Sequence, residues 1–327
     1  VDAPKTLFGK FSIQDKNLDD IPKSWRALAR KEIDFYNTVQ NPGVSIPTCY
    51  FAGIDDDLNM CILLEDLGQD VWVDQLTSAT QAQTTQAIKS LATLHATWWN
   101  HSDLDKLEWL NPAPPDESVD ALNVWRGSIT LFQKSFTETC PHLHQIGQIF
   151  LKILEVDPAI ASPRAGGKGN KTLRHGDFRL DNLAFAEEQL VVNDWQMVSK
   201  GPAIADLVYW LCCNYTPTAR REQEPLILDL YIQTLAEHGI EYPLKKLKAN
   251  IRFQLMGRCL SRIGSLSVVQ ETLFANERGQ QFIQHDMAGL EALVVDYKVL
   301  RSVKMLGFAL LNYARLKRLI GFSKRKP

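Results

Sequence analysis

The chain has 327 residues, of which 45% are hydrophobic and 23% are charged, and its formal net charge is -2. This composition is typical of a globular protein with a large core, and the lack of a basic excess argues against a nucleic-acid partner. No apolar run approaches the ~18 residues of a membrane span, so none is predicted. The six cysteines lack CxxC spacing and lie mostly in apolar runs, which predicts reduced thiols and a cytoplasmic location.

The first part of the chain predicts a small lobe rich in strands. Its elements are a strand at 6–11, a helix at 23–39, strands at 48–53 and 60–65, and a hinge at 67–68. An approximate apolar stripe indicates the helix, and Asn41-Pro42-Gly43 ends it. We therefore predict a separate N-terminal lobe over residues 1–66.

The remainder of the chain, residues 67–327, predicts a large helical lobe interrupted by a short strand region. Helices are predicted at 80–99, 119–136, 203–213, 220–238, 244–266, 282–294 and 299–319. Short strands are predicted at 173–174, 183–185 and 190–192, after a flexible loop at 161–171 that is rich in Gly and Lys. The predicted fold class is α+β with two lobes, and the active residues lie in the strand region of the helical lobe.

The most informative segment is His175–Asn182, which is followed after a short apolar strand by Asp194-Trp195-Gln196. Asp177 is the candidate base that accepts the proton of an attacking hydroxyl. Asn182 and Asp194 offer the hard oxygen ligands that Mg²⁺ prefers around a nucleotide phosphate. The alternative is that all three residues simply cap turns, which is common for each residue alone but rare for the ordered set.

Polar residues around this segment are predicted to contact the phosphoryl group or to hold the loop in place. Arg179 is predicted to contact the transferring phosphoryl group, with pairing to Asp181 as the alternative. His175 is predicted to hold the loop through a hydrogen bond, and Asp206 to accept backbone N–H bonds from it. His95 lies on an apolar helix face and is predicted to be a satisfied core histidine.

The small lobe supplies the candidate nucleotide-binding residues. Lys10 in its strand and Glu32 in the following helix are predicted to form an ion pair that fixes the lysine for the α- and β-phosphates. Glu65, Asp66 and Leu67 precede the predicted hinge, where backbone N–H and C=O groups can bind an adenine edge. These residues predict that the N-terminal lobe is the nucleotide-binding lobe.

The motifs resemble those of the aminoglycoside phosphotransferase and choline kinase-like superfamily, which has a protein-kinase-like fold. They are most similar to the ecdysteroid kinase-like small-molecule kinases, and also to the phosphotransferase domain fused to some acyl-CoA dehydrogenases. The resemblance spans about 7–211 and includes Glu32, the 64–67 segment, 94–96 and 206–209. It implies an enzyme that uses ATP and Mg²⁺ to phosphorylate a hydroxyl of a small molecule.

The chain departs from the family pattern at two points. The family places a strand pair and a phosphate-covering loop before the lysine strand, whereas Lys10 has only nine residues before it. We expect the first strands to lie upstream of residue 1, or the nucleotide site to be incomplete. Arg179 stands where the family often has His or Trp, so its phosphate role rests on geometry.

The sequence leaves two alternatives to a kinase open. One is a non-catalytic nucleotide-binding module, a pseudokinase, and the other is an enzyme that transfers a nucleotidyl group. The helices beyond about residue 215 are expected to line the acceptor pocket. They lack a dense acidic cluster, which argues against a polycationic acceptor, and their apolar and aromatic content favours a neutral or lipophilic alcohol. The choice between ATP and GTP and the oligomeric state stay open.

Overall fold

A computed structural model describes residues 4–11, 23–55, 59–111, 120–156, 170–186 and 189–323. The strands in these ranges are β1 (Leu7–Phe11), β2 (Cys49–Ile54), β3 (Met60–Glu65), β4 (Thr172–Arg174), β5 (Leu183–Phe185), β6 (Leu190–Val192) and β7 (Ser199–Gly201). The α-helices are α1 (Lys23–Thr38), α2 (Gln81–Thr97), α3 (Ala121–Phe136), α4 (Pro141–Val156), α5 (Ile204–Cys213), α6 (Pro217–Glu237), α7 (Leu244–Leu273), α8 (Glu277–Asp296) and α9 (Val299–Ser323). Most of the predicted loop at 161–171 lies outside the described residues.

The N-terminal part is an antiparallel sheet in the order β1-β3-β2, covered by α1. Alternate residues of β3, Ile62 and Leu64, are fully buried and form a small apolar cluster with Ile33 of α1. The alternation follows from the pleat, which turns successive side chains to opposite faces of a strand. The register places Lys10 of β1 opposite Ile62.

The helices from α2 onward enclose a large apolar core. Helix α2 begins after Thr80, whose hydroxyl accepts a hydrogen bond from the Gln83 amide while the Gln83 side chain bonds back to Thr80, which is a capping box. Its buried residues recur at helical spacing and include Leu91 and Leu94. In the described part of the chain, no helix combines the length and apolarity that a membrane crossing requires.

The short strand region consists of two separate pairs. Strands β5 and β6 form an antiparallel hairpin, and β4 pairs antiparallel with β7. The short strands predicted in this region do not include Ser199–Gly201, which forms β7. Its partner β4 lies more than twenty residues earlier, and such a non-local pairing leaves no local pattern in the sequence.

Helix boundaries agree with the predicted helices to within a few residues except toward the C-terminus, where α7 and α8 are longer. The prediction missed α4 entirely. Its buried residues Leu143, Ile146, Gly147, Ile153 and Leu154 follow a helical spacing, and this periodicity is the signal that identifies the helix.

Candidate active site

The loop after β4 is held in a tight conformation by its glycine. Gly176 has φ +84°, and a Cβ built at this position meets the Met197 carbonyl oxygen at 2.2 Å. Only glycine combines a left-handed conformation with such a close approach. The loop therefore runs directly against the Asp194–Met197 segment. Asp177, the residue after this glycine, lines a cavity on the side of the helical core.

Asp206, near the start of α5, ties this loop to the helical core. Its carboxylate accepts hydrogen bonds from the His175 amide at 2.8 Å and the Gly176 amide at 3.1 Å. It also meets His95 Nε2 at 3.3 Å, and His95 Nδ1 lies 2.8 Å from the Tyr231 hydroxyl. Both predictions are confirmed, since Asp206 binds the loop amides and His95 is a fully buried, satisfied histidine.

The charge of Asp206 is stabilised despite its burial. Burial raises the pKa of this carboxyl, but the hydrogen bond to His95 and the positive charges nearby outweigh it, so the pKa lies below its ordinary value. His175 contributes separately, because its Nε2 lies 2.8 Å from the Asn193 carbonyl oxygen. The prediction that His175 holds the loop through a hydrogen bond is confirmed.

Asp177 and Asn182 are in direct contact. The Asn182 Nδ2 donates to the Asp177 carbonyl oxygen at 2.8 Å and to Asp177 Oδ2 at 2.9 Å. Because the amide nitrogen makes both bonds, the amide oxygen of Asn182 is turned away from the carboxylate. A side chain held in this way can present its oxygen to a cation on the opposite side.

Arg179 binds two carboxylates at once. Its Nε donates to Asp177 Oδ2 at 3.1 Å and its Nη1 to Asp181 Oδ2 at 2.8 Å. The pairing with Asp181, predicted as the alternative, is therefore present. The Arg179 side chain is 20% exposed and lines the cavity, so contact with a phosphoryl group stays a prediction.

The pKa of Asp177 reflects these contacts. Burial raises the pKa of this carboxyl, but the Arg179 guanidinium and the Tyr209 hydroxyl outweigh it, and the pKa lies below its ordinary value. Tyr209 was not among the predicted site residues. Its place one helical turn after Asp206 on α5 is the signal that points to the same face of the helix.

Asp194 lies beyond the hairpin that begins at Asn182. Strand pairing sets Leu183 opposite Val192, and the Asn193 amide donates to the Asn182 carbonyl oxygen at 2.9 Å. Asp194 adopts a left-handed conformation with φ +63°, which is strained for a residue other than glycine but tolerated best by Asp and Asn. The hairpin thus brings the two predicted metal ligands to one end of the β5–β6 pair.

Lys10 links the sheet of the N-terminal part to Asp194. Its Nζ lies 2.7 Å from Glu32 Oε1 and 2.8 Å from Asp194 Oδ1, so the predicted Lys10–Glu32 ion pair is confirmed. Burial lowers the pKa of the lysine, but Glu32 and Asp194 outweigh it, and the pKa lies above its ordinary value. The ammonium group is therefore charged at neutral pH.

An aromatic contact positions the helix that carries Glu32. The Phe35 ring of α1 stacks on the Trp195 ring, with centroids 4.0 Å apart and an interplanar angle of 9°. Phe35 lies one turn after Glu32, so both side chains project from the same face of the helix. The stacking fixes α1 against the residue that follows Asp194.

The predicted adenine-binding segment directly follows β3. The Glu65 amide donates to the Thr48 carbonyl oxygen at 2.8 Å, and the Glu65 carboxylate accepts from the Thr48 amide and hydroxyl. Asp66 accepts from the Gly68 amide at 3.0 Å. The Glu65 and Asp66 side chains thus stabilise the local backbone through hydrogen bonds. The nucleotide-binding roles of Glu65, Asp66 and Leu67 stay predictions.

A cavity of about 680 Å³ adjoins Asp177 on the side of the helical core. Its wall includes Tyr209 of α5, residues of α7 and Phe282 of α8. It also includes four arginines, of which only Arg179 was a predicted site residue: Arg174, Arg179, Arg258 and Arg262. The positions 254, 258, 261, 262 and 265 recur at helical spacing on α7, which is the signal that groups them on one face.

Comparison with known sequences covers most of the chain. The sequence model of the ecdysteroid kinase-like family matches residues 24–243. A kinase-like protein of Caenorhabditis elegans, itself uncharacterized, is 24% identical over 238 residues, which are 68% of this chain and 60% of that protein. Mouse (Mus musculus) acyl-CoA dehydrogenase family member 10 is 45% identical over 80 residues, which are 22% of this chain and 8% of that protein. The chain thus matches only part of the length of these relatives.

Comparison with solved structures identifies the fold. The structure of a Ralstonia eutropha protein assigned to the aminoglycoside phosphotransferases superposes with a TM-score of 0.50 at 15% identity, covering 84% of each chain. The predicted two-lobed, protein-kinase-like α+β fold is confirmed. At this level of identity the likeness concerns the fold alone.

Proposed function

The chain belongs to the ecdysteroid kinase-like family, and on that basis we propose that it transfers the γ-phosphate of ATP, with Mg²⁺, to a hydroxyl of a small molecule. The observation that carries the proposal is the hydrogen-bonded cluster of Asp177 and Asn182, joined through the β5–β6 hairpin to Asp194 and Lys10. Phosphoryl transfer requires positioning and charge neutralisation more than covalent chemistry, and this cluster offers both.

Asn182 and Asp194 are the residues that would hold Mg²⁺. One amide oxygen and one carboxylate fit this ion, which usually takes one or two protein carboxylates and completes its octahedron with phosphates and water. Such a site needs no dense carboxylate cluster, and among the described residues no group of three or more His, Cys, Asp or Glu is placed to hold a metal. When bound, the ion supplies positive charge to the β- and γ-phosphate oxygens.

Asp177 is the proposed proton acceptor. The acceptor hydroxyl forms a bond to the γ-phosphorus, the bond between that phosphorus and the bridging oxygen breaks to release ADP, and the hydroxyl proton passes to the Asp177 carboxylate. The low pKa makes Asp177 a weak base, but a loose transition state transfers the proton late, so orientation matters more than basicity. Arg179 and Asn182 fix that orientation from two directions.

Lys10 is the proposed ligand of the nucleotide phosphates. Its ammonium group is charged, held by Glu32, and directed at Asp194, so phosphate oxygens entering beside Asp194 meet a positioned cation. Leu67 and the backbone around Glu65 and Asp66 would border the adenine. Residues 1–66 are accordingly proposed as the nucleotide-binding lobe and 67–327 as the lobe that carries the catalytic loop and the acceptor site.

Calorimetric titration of ATP into the purified protein, with and without Mg²⁺, tests the nucleotide site. Asp194→Asn is the informative variant, because asparagine tolerates the left-handed conformation while removing the charge. We expect Mg²⁺-dependent binding in the wild type and a loss of about tenfold or more in the variant, as for a charged metal ligand. Asp105→Asn, at an exposed ion pair with Lys200, is the control and should bind as the wild type does.

The outcomes separate the candidate functions. Absence of Mg²⁺-dependent ATP binding by the wild type would overturn the proposal. Binding without turnover of any hydroxyl acceptor would favour the pseudokinase. For a product that does form, mass spectrometry distinguishes the gain of one phosphate from the gain of one AMP, and the latter would indicate nucleotidyl transfer instead.

A further inference from the structure

The cavity next to Asp177 has a cationic wall. Arg174, Arg179, Arg258 and Arg262 all line it. A pocket for a neutral or lipophilic alcohol, as the composition of the helices predicts, has no need for buried guanidinium groups, whose desolvation is costly. A cationic acceptor would be repelled by these guanidinium groups. The arginines therefore require an explanation of their own.

Helix α7 directs a polar stripe into this cavity. Arg258, Ser261, Arg262 and Ser265 recur at helical spacing and all line the wall. The side chains of the two arginines are 14% and 9% exposed, respectively. Such low exposure distinguishes them from the solvated arginines of an ordinary helix surface.

Two of the guanidinium groups share a single carboxylate. Arg258 Nη2 lies 2.9 Å from Asp286 Oδ1, and Arg262 forms an ion pair with the same aspartate, which is fully buried. Burial raises the pKa of Asp286, but the two arginines outweigh it and hold the pKa well below its ordinary value. Two positive charges against one negative charge leave the group of Arg258, Arg262 and Asp286 with one excess positive charge, at a wall that Asp177 and Asp206 also line.

A third arginine, Arg174, lines the same wall and interacts electrostatically with the buried Asp206 carboxylate. Arg174 Nη2 donates to the Ser199 hydroxyl at 2.9 Å, and within the described ranges no carboxylate forms an ion pair with it. Its buried Nε–H, like that of Arg258, has no hydrogen-bond partner among the described residues. Buried donors without partners are uncommon in folded proteins.

Aromatic rings hold the guanidinium planes in place. Arg258 lies over the Tyr209 ring at 4.2 Å from its centroid, and Arg262 lies over Phe282 at 5.9 Å. Tyr209 also places its hydroxyl beside Asp177. A single tyrosine ring thus separates the Arg258 guanidinium from the proposed base, which sets a short distance between an anion-binding point and the site of phosphoryl transfer.

We propose that the acceptor is a hydroxy acid, whose carboxylate binds the Arg174, Arg258 and Arg262 wall while its hydroxyl reaches Asp177. A planar guanidinium fork matches the two oxygens of a carboxylate, and the excess positive charge is neutralised on binding. The proposal deepens the phosphotransferase function and rests on it. The separation across Tyr209 favours an acid whose hydroxyl lies a few carbon atoms from the carboxylate.

The experiment compares matched ligands at one site. The probes are straight-chain hydroxy acids of increasing length, each paired with its own methyl ester, and binding is measured by calorimetry in the presence of ADP and Mg²⁺. We expect at least one acid to bind about tenfold or more tightly than its ester, as expected for a charge-assisted contact. In Arg258→Gln and in Arg174→Gln this preference should fall about tenfold, while ester binding stays unchanged.

Two controls keep the result specific. Arg126→Gln removes an exposed arginine of α3 that pairs with Glu155, and it should retain the full preference for the acid. Arg174→Gln leaves the Asp286 pairs intact, so it tests the proposal even where Arg258→Gln is destabilised. Circular dichroism reports whether each variant is folded.

The outcomes distinguish this proposal from the underlying function. Equal binding of acid and ester in every pair, the absence of binding included, overturns the hydroxy acid while leaving ATP binding as an independent result. Weaker binding of ADP in Arg258→Gln would assign the arginines to the nucleotide and also overturn it. Failure of Mg²⁺-dependent ATP binding at Asp194 would overturn the phosphotransferase itself.

Discussion

The protonation state of Asp177 is decided by its neighbours. Burial alone favours the neutral acid, whereas Arg179 favours the charged form and dominates, so the folded pKa lies below the ordinary value of 3.8. A carboxyl with a depressed pKa contributes stability that is present above its unfolded pKa and is lost as the pH falls through the folded pKa. At neutral pH the group is a carboxylate ready to accept a proton.

Arg179→Gln tests this balance. Removing the guanidinium takes away the largest contribution that opposes burial and leaves the smaller one of the Tyr209 hydroxyl, so the pKa of Asp177 should rise. The acid limb of the kcat profile should then move upward by about 1 pH unit or more. Arg179→Lys keeps a positive charge and should move the limb less. A pH profile of unchanged shape in Arg179→Gln would contradict the electrostatic role, whatever happens to the size of kcat.

Asp177→Asn tests the proposed base itself. The amide is isosteric but cannot accept the proton, so kcat should fall by about 10² to 10⁴, the usual contribution of a positioned general base. Binding of ATP with Mg²⁺ should change by no more than about threefold, because Asp177 is not a proposed metal ligand. Full activity of this variant, measured by release of ADP, would exclude the role.

The loop between β4 and β5 depends on a glycine. A Cβ at Gly176 would meet a backbone carbonyl oxygen at 2.2 Å, whereas one at Gly239, which has a similar φ of +76°, meets nothing within 4 Å. A residue other than glycine would be strained at both positions, but only at Gly176 would its Cβ also clash with another atom. The two glycines therefore form a matched pair.

Gly239→Ala should lower the free energy of unfolding by about 1 kcal/mol, which is the cost of a left-handed alanine. Gly176→Ala should cost about 3 kcal/mol or more, because either the loop or the Asp194–Met197 segment must move. Urea denaturation measures both values. Equal losses would show that the Met197 contact is unimportant.

Helix α1 carries both Phe35, which packs on Trp195, and Glu32, which holds Lys10. Phe35 is fully buried and stacks on Trp195, and Phe132 of α3 is equally buried but does not line the cavity. Phe35→Ala and Phe132→Ala should each lower the free energy of unfolding by about 3 to 5 kcal/mol. Only Phe35→Ala should also weaken ATP binding, because Glu32 then loses its fixed position. Calorimetric titration of ATP into both variants measures the two affinities. A similar loss of affinity in Phe132→Ala would indicate a general loss of stability.

At the scale of the whole molecule, Lys10 and Asp194 join the strand-rich and helical parts through one partly exposed ion pair. In Asp194→Asn this link should weaken. Hydrogen exchange, followed by mass spectrometry, should then become faster in β1, at the edge of the sheet, but not in the core helices α2 and α5. Asp105→Asn should leave the exchange pattern as it is. Uniform acceleration would instead indicate global destabilisation.

Much of this fold follows from local signals. The capping box at Thr80, the helical periodicity of α2 and the alternation in β3 each specify an element, since each depends on neighbours along the chain. Strand β7 escaped prediction because its stability comes from β4. Helix α4 was overlooked although its periodicity is present in the sequence. The lobe boundary at residues 66 and 67 stays a prediction.

The sequence alone establishes the identities and order of Asp177, Asn182 and Asp194, and these residues indicate the family, because a motif and its spacing are properties of the chain. It also predicted the Lys10–Glu32 ion pair. The packing of the folded chain is what pairs Arg258 and Arg262 with Asp286 beside Tyr209, and Lys10 with Asp194. Such contacts join residues far apart in the chain, and whether a charge is excess or neutralised depends on which groups packing brings together.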